Sequence, residues 1–144
     1  MKRLFLGAVF VLITLTIFGQ NKSKVDAINA TKVAFFTDKL DLTAAEAQKF
    51  WPVYNDYRRR KNKIIQDKKN LMKYCSENMA NLSNEEMAEI ADKYTEYFKK
   101  EADLFVKFND KFKSVIPVEK VMKLYIADNQ FKIYLLNEIK KTGK

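Results

Sequence analysis

Through the middle of this chain the apolar residues recur at alternating steps of three and four, the spacing that lines one seam of a long amphipathic helix. One seam runs through Ala47, Phe50, Tyr54, Tyr57, Lys61, Ile64, Lys68, Leu71 and Cys75, and a second through Met87, Ala91, Tyr94, Phe98, Glu101, Phe105, Phe108 and Phe112. Each is preceded by a start signal. Thr43 with Glu46, and Ser83 with Glu86, form capping boxes, in which two side chains satisfy orphan N–H groups of the first turn. The first helix is predicted from there to about Met79. Pro52 lies inside it, removes one backbone hydrogen bond and predicts a kink near Ala47–Trp51. After a short turn at Ala80–Leu82 the second helix should run to about Lys113. A ragged stripe of Val25, Ile28, Val33, Phe36 and Leu40 predicts an earlier helix from Lys24 to about Leu40. Pro117 suits the first turn of a last helix that ends near Lys141. The expected fold class is all-α.

Folded antiparallel about residue 81, the two seams match. Phe112 falls opposite Phe50, Phe108 opposite Tyr54, Phe105 opposite Tyr57, Phe98 opposite Ile64 and Met87 opposite Cys75. The two charged intruders coincide as well, which predicts a Lys61–Glu101 pair that fixes register more than it adds stability. The expected architecture is therefore a long antiparallel helical hairpin, roughly 45–50 Å at 1.5 Å per residue, with flanking N- and C-terminal helices. Tyr94 falls opposite Lys68, which allows the ammonium to lie over the ring, though a solvated lysine is the expected state. The chain carries 11 Phe, 7 Tyr and 1 Trp, more than two helices can bury. Phe35, Phe36, Tyr97, Tyr125, Phe131 and Tyr134 need a further surface, from the terminal helices or from a second copy, so a homodimer is expected. Met72, Met79, Met87 and Met122 are read as core, and Cys75 as a small buried apolar residue.

Residues 1–19 read as an address rather than as fold. Lys2 and Arg3 precede an apolar run from Leu4 to Phe18, and Gly19 gives a small residue before polar Gln20-Asn21-Lys22, the order of a cleaved secretory signal peptide. The run is shorter than the roughly 20 apolar residues that span a bilayer. A periplasmic location and a single helical domain over 20–144 are expected. Composition removes most chemistry. The chain has no His, one Cys and three Gly (Gly7, Gly19, Gly143). No imidazole-based nucleophile system, imidazole metal site or glycine-rich phosphate loop can be built from it. Carboxylates such as Glu85, Glu86 and Glu89 read as ordinary charges at a helix N-terminus. No catalytic residue, metal site or cofactor is expected.

What remains is charge. The whole chain carries +9, and loss of the leader takes only Lys2 and Arg3 from it. Arg58-Arg59-Arg60-Lys61-Asn62-Lys63, followed by Lys68, Lys69 and Lys73, concentrates that charge on the first long helix, while the second has more acids than bases. Arg58, Arg59, Arg60, Lys63 and Lys69 are the candidate partner-binding strip, which would steer an acidic or unfolded protein. An ordinary solvated face is the competing reading. Export argues against nucleic acid as a partner, and any membrane contact would be peripheral.

Leu42-Thr43-Ala44-Ala45-Glu46-Ala47-Gln48 resembles the LTxxQ motif of the Spy/CpxP-like family of small exported helical proteins and its metal-sensor relatives. The family's second motif copy opens the last helix, where this chain has Val115-Ile116-Pro117-Val118-Glu119-Lys120. The stretch Lys39-Leu40-Asp41-Leu42-Thr43 through Phe50-Trp51-Pro52-Val53-Tyr54 looks like a Bacteroidetes branch known as sensors of extracytoplasmic-function sigma factors. Lys120-Val121-Met122-Lys123-Leu124-Tyr125, with Phe131 and Leu135-Leu136, fits the same branch. Leu42, Thr43, Glu46, Trp51, Pro52 and Pro117 are thus the structural motif residues. The resemblance implies a bent, dimeric helical cradle and envelope-stress work. That work is ATP-independent holding of unfolded proteins, or sensing upstream of a sigma factor. A dedicated regulator that binds one anti-sigma or sensor partner is the alternative. Glu46 stands where the motif has Gln, which a capping box accepts equally. The metal-sensing relatives use His ligands and this chain has none, which weighs against heavy-metal sensing.

Overall fold

The structure, a computed structural model, describes residues 28–142. These residues are helical throughout apart from short connections, with no strand among them. Four helices follow in order: α1 over 28–40, α2 over Ala44–Asn78, α3 over Asn84–Val115 and α4 over Val118–Thr142. A single 3-10 turn, Met79–Asn81, links α2 to α3. The expected leader at 1–19 and the first residues of the first predicted helix lie outside the described residues.

Local chemistry sets the boundaries. α1 stops because Asp41 turns into the left-handed region at φ 49°, its N–H donating to the carbonyl of Asp38 at 3.1 Å. Glycine usually fills such a place; with none available between Gly19 and Gly143, an aspartate takes it. α2 and α3 start on the two capping boxes. The Thr43 hydroxyl accepts from the Glu46 N–H at 3.2 Å, and Glu46 Oε2 accepts from the Thr43 N–H at 2.8 Å. Ser83 and Glu86 repeat the same two bonds at 3.2 and 2.8 Å. α2 continues as helix through Pro52, which faces solvent. On an exposed face the carbonyl that loses its ladder partner is open to hydration, which lowers the cost of the proline. Pro117 sits one residue earlier than expected. α4 begins at Val118, and the Pro117 carbonyl accepts from the Val121 N–H at 3.1 Å. A residue without an N–H fits that place because no donor is wasted there.

The chain divides into two compact units. One comprises α1 and α4 from Lys123 onward; the other spans Leu42–Met122. In the first, Phe36, Leu40, Leu124, Ala127 and Phe131 are buried. Their steps of four on α1, and of three and four on α4, place them on one face of each helix. Phe131 packs edge-on against Phe36 at 6.0 Å and meets Phe35 at 5.4 Å. Lys32 lies 5.0 Å from the Phe36 ring centroid and 3.6 Å from Asp128, which ties the polar rim of this core.

In the second unit α2 packs along α3. The contacts step in opposite directions along the two helices. Phe50 meets Phe112 at 6.0 Å, Tyr57 meets Phe108 at 5.3 Å and Phe105 at 6.4 Å, and Lys61 reaches Glu101 at 3.5 Å. Burial along this seam is uneven. Phe50, Tyr54, Phe108 and Phe112 are closed from water, whereas Phe105 is 41% and Phe98 49% exposed. The methionines expected in the core also differ. Met72, Met79 and Met122 are exposed, and Met87 is half-buried. Flexible thioether side chains are suited to such a half-wet surface.

Candidate functional site

Three groups of residues are candidates for a functional site, and each lies within the Leu42–Met122 unit. The first is the motif region at the start of α2. Glu46 closes its own helix cap and also accepts from Lys120 Nζ at 2.7 Å, so one carboxylate oxygen receives both the Thr43 N–H and the ammonium. Both side chains are largely shielded from water. The lysine bond, then the cap, hold the Glu46 carboxyl below its ordinary value. The two stretches that resemble paired motif copies are thus brought together, Glu46 from the first and Lys120 from the second. Sequence reading did not foresee this contact, although an acid and a base at the heads of two helices were its visible signal. A glutamine at position 46 would cap as well, but would offer Lys120 no charge. Trp51 packs edge-on against Phe50 at 5.0 Å and against Tyr54 at 5.6 Å. Leu42 is half-buried, and Pro52 and Pro117 are exposed.

The second group is the basic strip of α2. Arg59 and Arg60 both bind Asp56, Arg60 Nε lying 3.1 Å from each carboxylate oxygen. These guanidinium groups, Arg60 first, hold the Asp56 carboxyl below its ordinary value. Lys63 pairs with Asp67 at 3.0 Å, and Lys73 with Glu77 at 3.7 Å. Arg58 is half-buried and Lys69 exposed. Three successive arginines point about 100° apart on a helix, so the strip wraps around α2 instead of forming one patch. Much of it is laced by pairs three or four residues apart, the pattern of a solvated helix face.

The third group is a cluster at mid-seam. Lys68 Nζ also reaches Glu101, at 3.6 Å, so one carboxylate serves two lysines. Lys68 further lies over the Phe98 ring at 4.0 Å, and Lys61 lies 5.7 Å from the Tyr57 centroid. The expectation of a solvated Lys68 opposite Tyr94 is therefore corrected. Its ring is Phe98, one turn further along α3, and its side chain is only 19% exposed. A half-buried ammonium needs a counter-charge or an aromatic face, and here it has both.

Beyond this cluster, toward the α2–α3 turn, a shallow cavity of about 290 Å³ is lined by Met72, Cys75, Met79, Met87, Ile90, Ala91 and Tyr94. Cys75 is a free, buried thiol. Among the described residues no group of three or more Cys, Asp or Glu converges as a metal site, and no helix is long and apolar enough to cross a membrane. Compared with known proteins, the chain matches no family model, no curated protein and no solved structure. What stands is an all-helical protein in which a closed aromatic core gives way, along one helix pair, to open aromatic and methionine side chains edged by lysines.

Proposed function

We propose that this is a non-catalytic, exported envelope-stress protein that holds unfolded polypeptides on the open half of the α2–α3 surface. In this reading α2 and α3 form the two arms of an antiparallel hairpin, and two chains pair as a homodimer. The observation that carries it is the partial exposure of Phe98 and Phe105 on α3, with Lys68 over the Phe98 ring and both Lys61 and Lys68 on Glu101 between them, while Ile65 and Met72 on α2 are also exposed. Exposed aromatics and methionines give adaptable apolar contact, and the surrounding charges keep such a surface soluble. The resemblance of the Leu42–Gln48 stretch to the LTxxQ motif supports the same reading. Sensing upstream of an extracytoplasmic-function sigma factor would use the same surface.

A second reading is a regulator dedicated to one anti-sigma or sensor partner, which the exposed Arg59, Arg60 and Lys63 would steer toward α2. The two readings separate in a light-scattering assay with an unrelated unfolding protein, run at low and high salt beside Phe98→Ser/Phe105→Ser and Arg58→Ser/Arg59→Ser/Arg60→Ser variants. Holding predicts suppression at substoichiometric amounts that falls sharply in the aromatic variant. Absence of suppression at several-fold excess would exclude holding and favour the dedicated regulator.

A further inference from the structure

The cavity at the turn end of α2 and α3 gathers the sulfur chemistry of the helix pair. Met72 and Cys75, three residues apart, share one face of the last turns of α2, Met79 follows at the head of the 3-10 turn, and Met87 reaches the same cavity from the first turn of α3. Three thioethers and a thiol therefore line a single space, with Ile90, Ala91 and Tyr94 completing its wall. Its one side-chain oxygen is the Tyr94 hydroxyl, and it holds no side-chain carboxylate, amide or imidazole, so a hard cation finds no ligand set there. Cys75 is only 8% exposed, forms no disulfide and makes no hydrogen bond among the described residues. Met72 and Met79, by contrast, stay exposed at the mouth, so an ion can enter and the flexible thioethers can close over it. The sequence reading looked for His and carboxylates and expected no metal. It read these methionines as packing.

We propose that Met72, Cys75, Met79 and Met87 form a binding site for a soft monovalent cation, Cu(I) in the first place. Thiolate and thioether donors select Cu(I) over the harder divalent ions. On binding, the Cys75 Sγ–H bond breaks and an Sγ–Cu bond forms. The proton passes to solvent, the thioethers give lone pairs, and no atom changes oxidation state. Met72 is shared with the proposed holding surface, but Cys75, Met79 and Met87 are not, so the site would stand if that reading failed.

The test titrates the full chain with Cu(I), kept reduced by ascorbate without oxygen, against a chromogenic Cu(I) chelator. Near-ultraviolet thiolate-to-copper absorption and proton release are followed together. One ion per chain with one proton released is expected. Met79→Leu and Met87→Leu, which keep side-chain volume, should each weaken binding by about tenfold or more, since even outer-shell partners of a metal carry about 10- to 100-fold in affinity. Cys75→Ser should weaken it further, and Met122→Leu on α4 should leave it unchanged. Circular dichroism verifies that each variant keeps its helices. Failure to compete with the chelator would overturn the proposal. So would affinity unchanged in both methionine variants, or equal occupation by Zn(II).

Discussion

The uneven burial along the α2–α3 seam predicts that two phenylalanines ten residues apart carry very different weights. Phe108 has 0% of its surface exposed and packs against Tyr57 and Phe112 at 5.3 and 6.1 Å. A phenylalanine that buries about 150 Å² contributes about 4 kcal/mol at about 25 cal/mol per Å². Phe108→Ala also leaves an enclosed void, so a loss of about 4–5 kcal/mol is expected. Phe98 is 49% exposed and stacks edge-on with Tyr94 at 5.1 Å. Half the burial, in a site open to water, gives about 1–2 kcal/mol, including the contact with the Lys68 ammonium. The difference of about 3 kcal/mol corresponds to about 12 °C in melting temperature for a chain of this size. Thermal and urea unfolding followed by far-ultraviolet circular dichroism reads it directly. Equal losses in the two variants would refute the division of the seam into a closed and an open half.

Further outcomes follow from the caps and charges. Thr43→Ala removes the hydroxyl that accepts from the Glu46 N–H and should cost about 0.5–2 kcal/mol in urea unfolding; Thr43→Ser should cost little. The Glu46 carboxyl is held below its ordinary value of 4.5 by Lys120 and the cap. Its contribution is therefore present above that value and lost as pH falls through the depressed one. The melting-temperature gap between the native chain and Glu46→Gln should be widest near neutral pH and close on acidification; a constant gap would contradict the Lys120 contact. At Asp41, whose φ is 49°, a β-branched residue meets the left-handed penalty. Asp41→Val should lose about 1–2 kcal/mol while Asp41→Gly loses none, as read by chemical unfolding. Glu101→Leu leaves Lys61 and Lys68 without their shared carboxylate, yet their long stems can carry the ammonium groups to water. Helicity should persist by circular dichroism, and collapse would show that the cluster is essential to folding.

How much was legible in the sequence depended on the range of each interaction. Both capping boxes could be read because Thr43 and Glu46, like Ser83 and Glu86, are three residues apart. The opposition of Lys61 and Glu101 was accessible because two seams of matching period have one natural alignment. The pairs of Arg59 and Arg60 with Asp56, and of Lys63 with Asp67, were equally local; counting net charge along α2 concealed them, where pairing at steps of three and four would have revealed them. The Glu46–Lys120 bond lies 74 residues apart, and no local pattern encodes it. Nor does periodicity reveal that the seam opens along its middle, at Phe98 and Phe105, between the closed Phe50–Phe112 end and the buried Cys75 and Ile90 near the turn. Apolar spacing gives the face of a helix, but exposure of Phe98, Phe105 and Met72 depends on what the rest of the chain can bring over them.

Site-specific photo-crosslinking tests the account most directly. A benzoylphenylalanine would replace Phe98, Phe105 or, as a control, Ile133, exposed on α4, and each protein would be irradiated with an unfolding client. The account predicts strong crosslinks from positions 98 and 105 and weak ones from 133. Equal crosslinking from all three, or none from 98 and 105 while the native chain still suppresses aggregation, would contradict it.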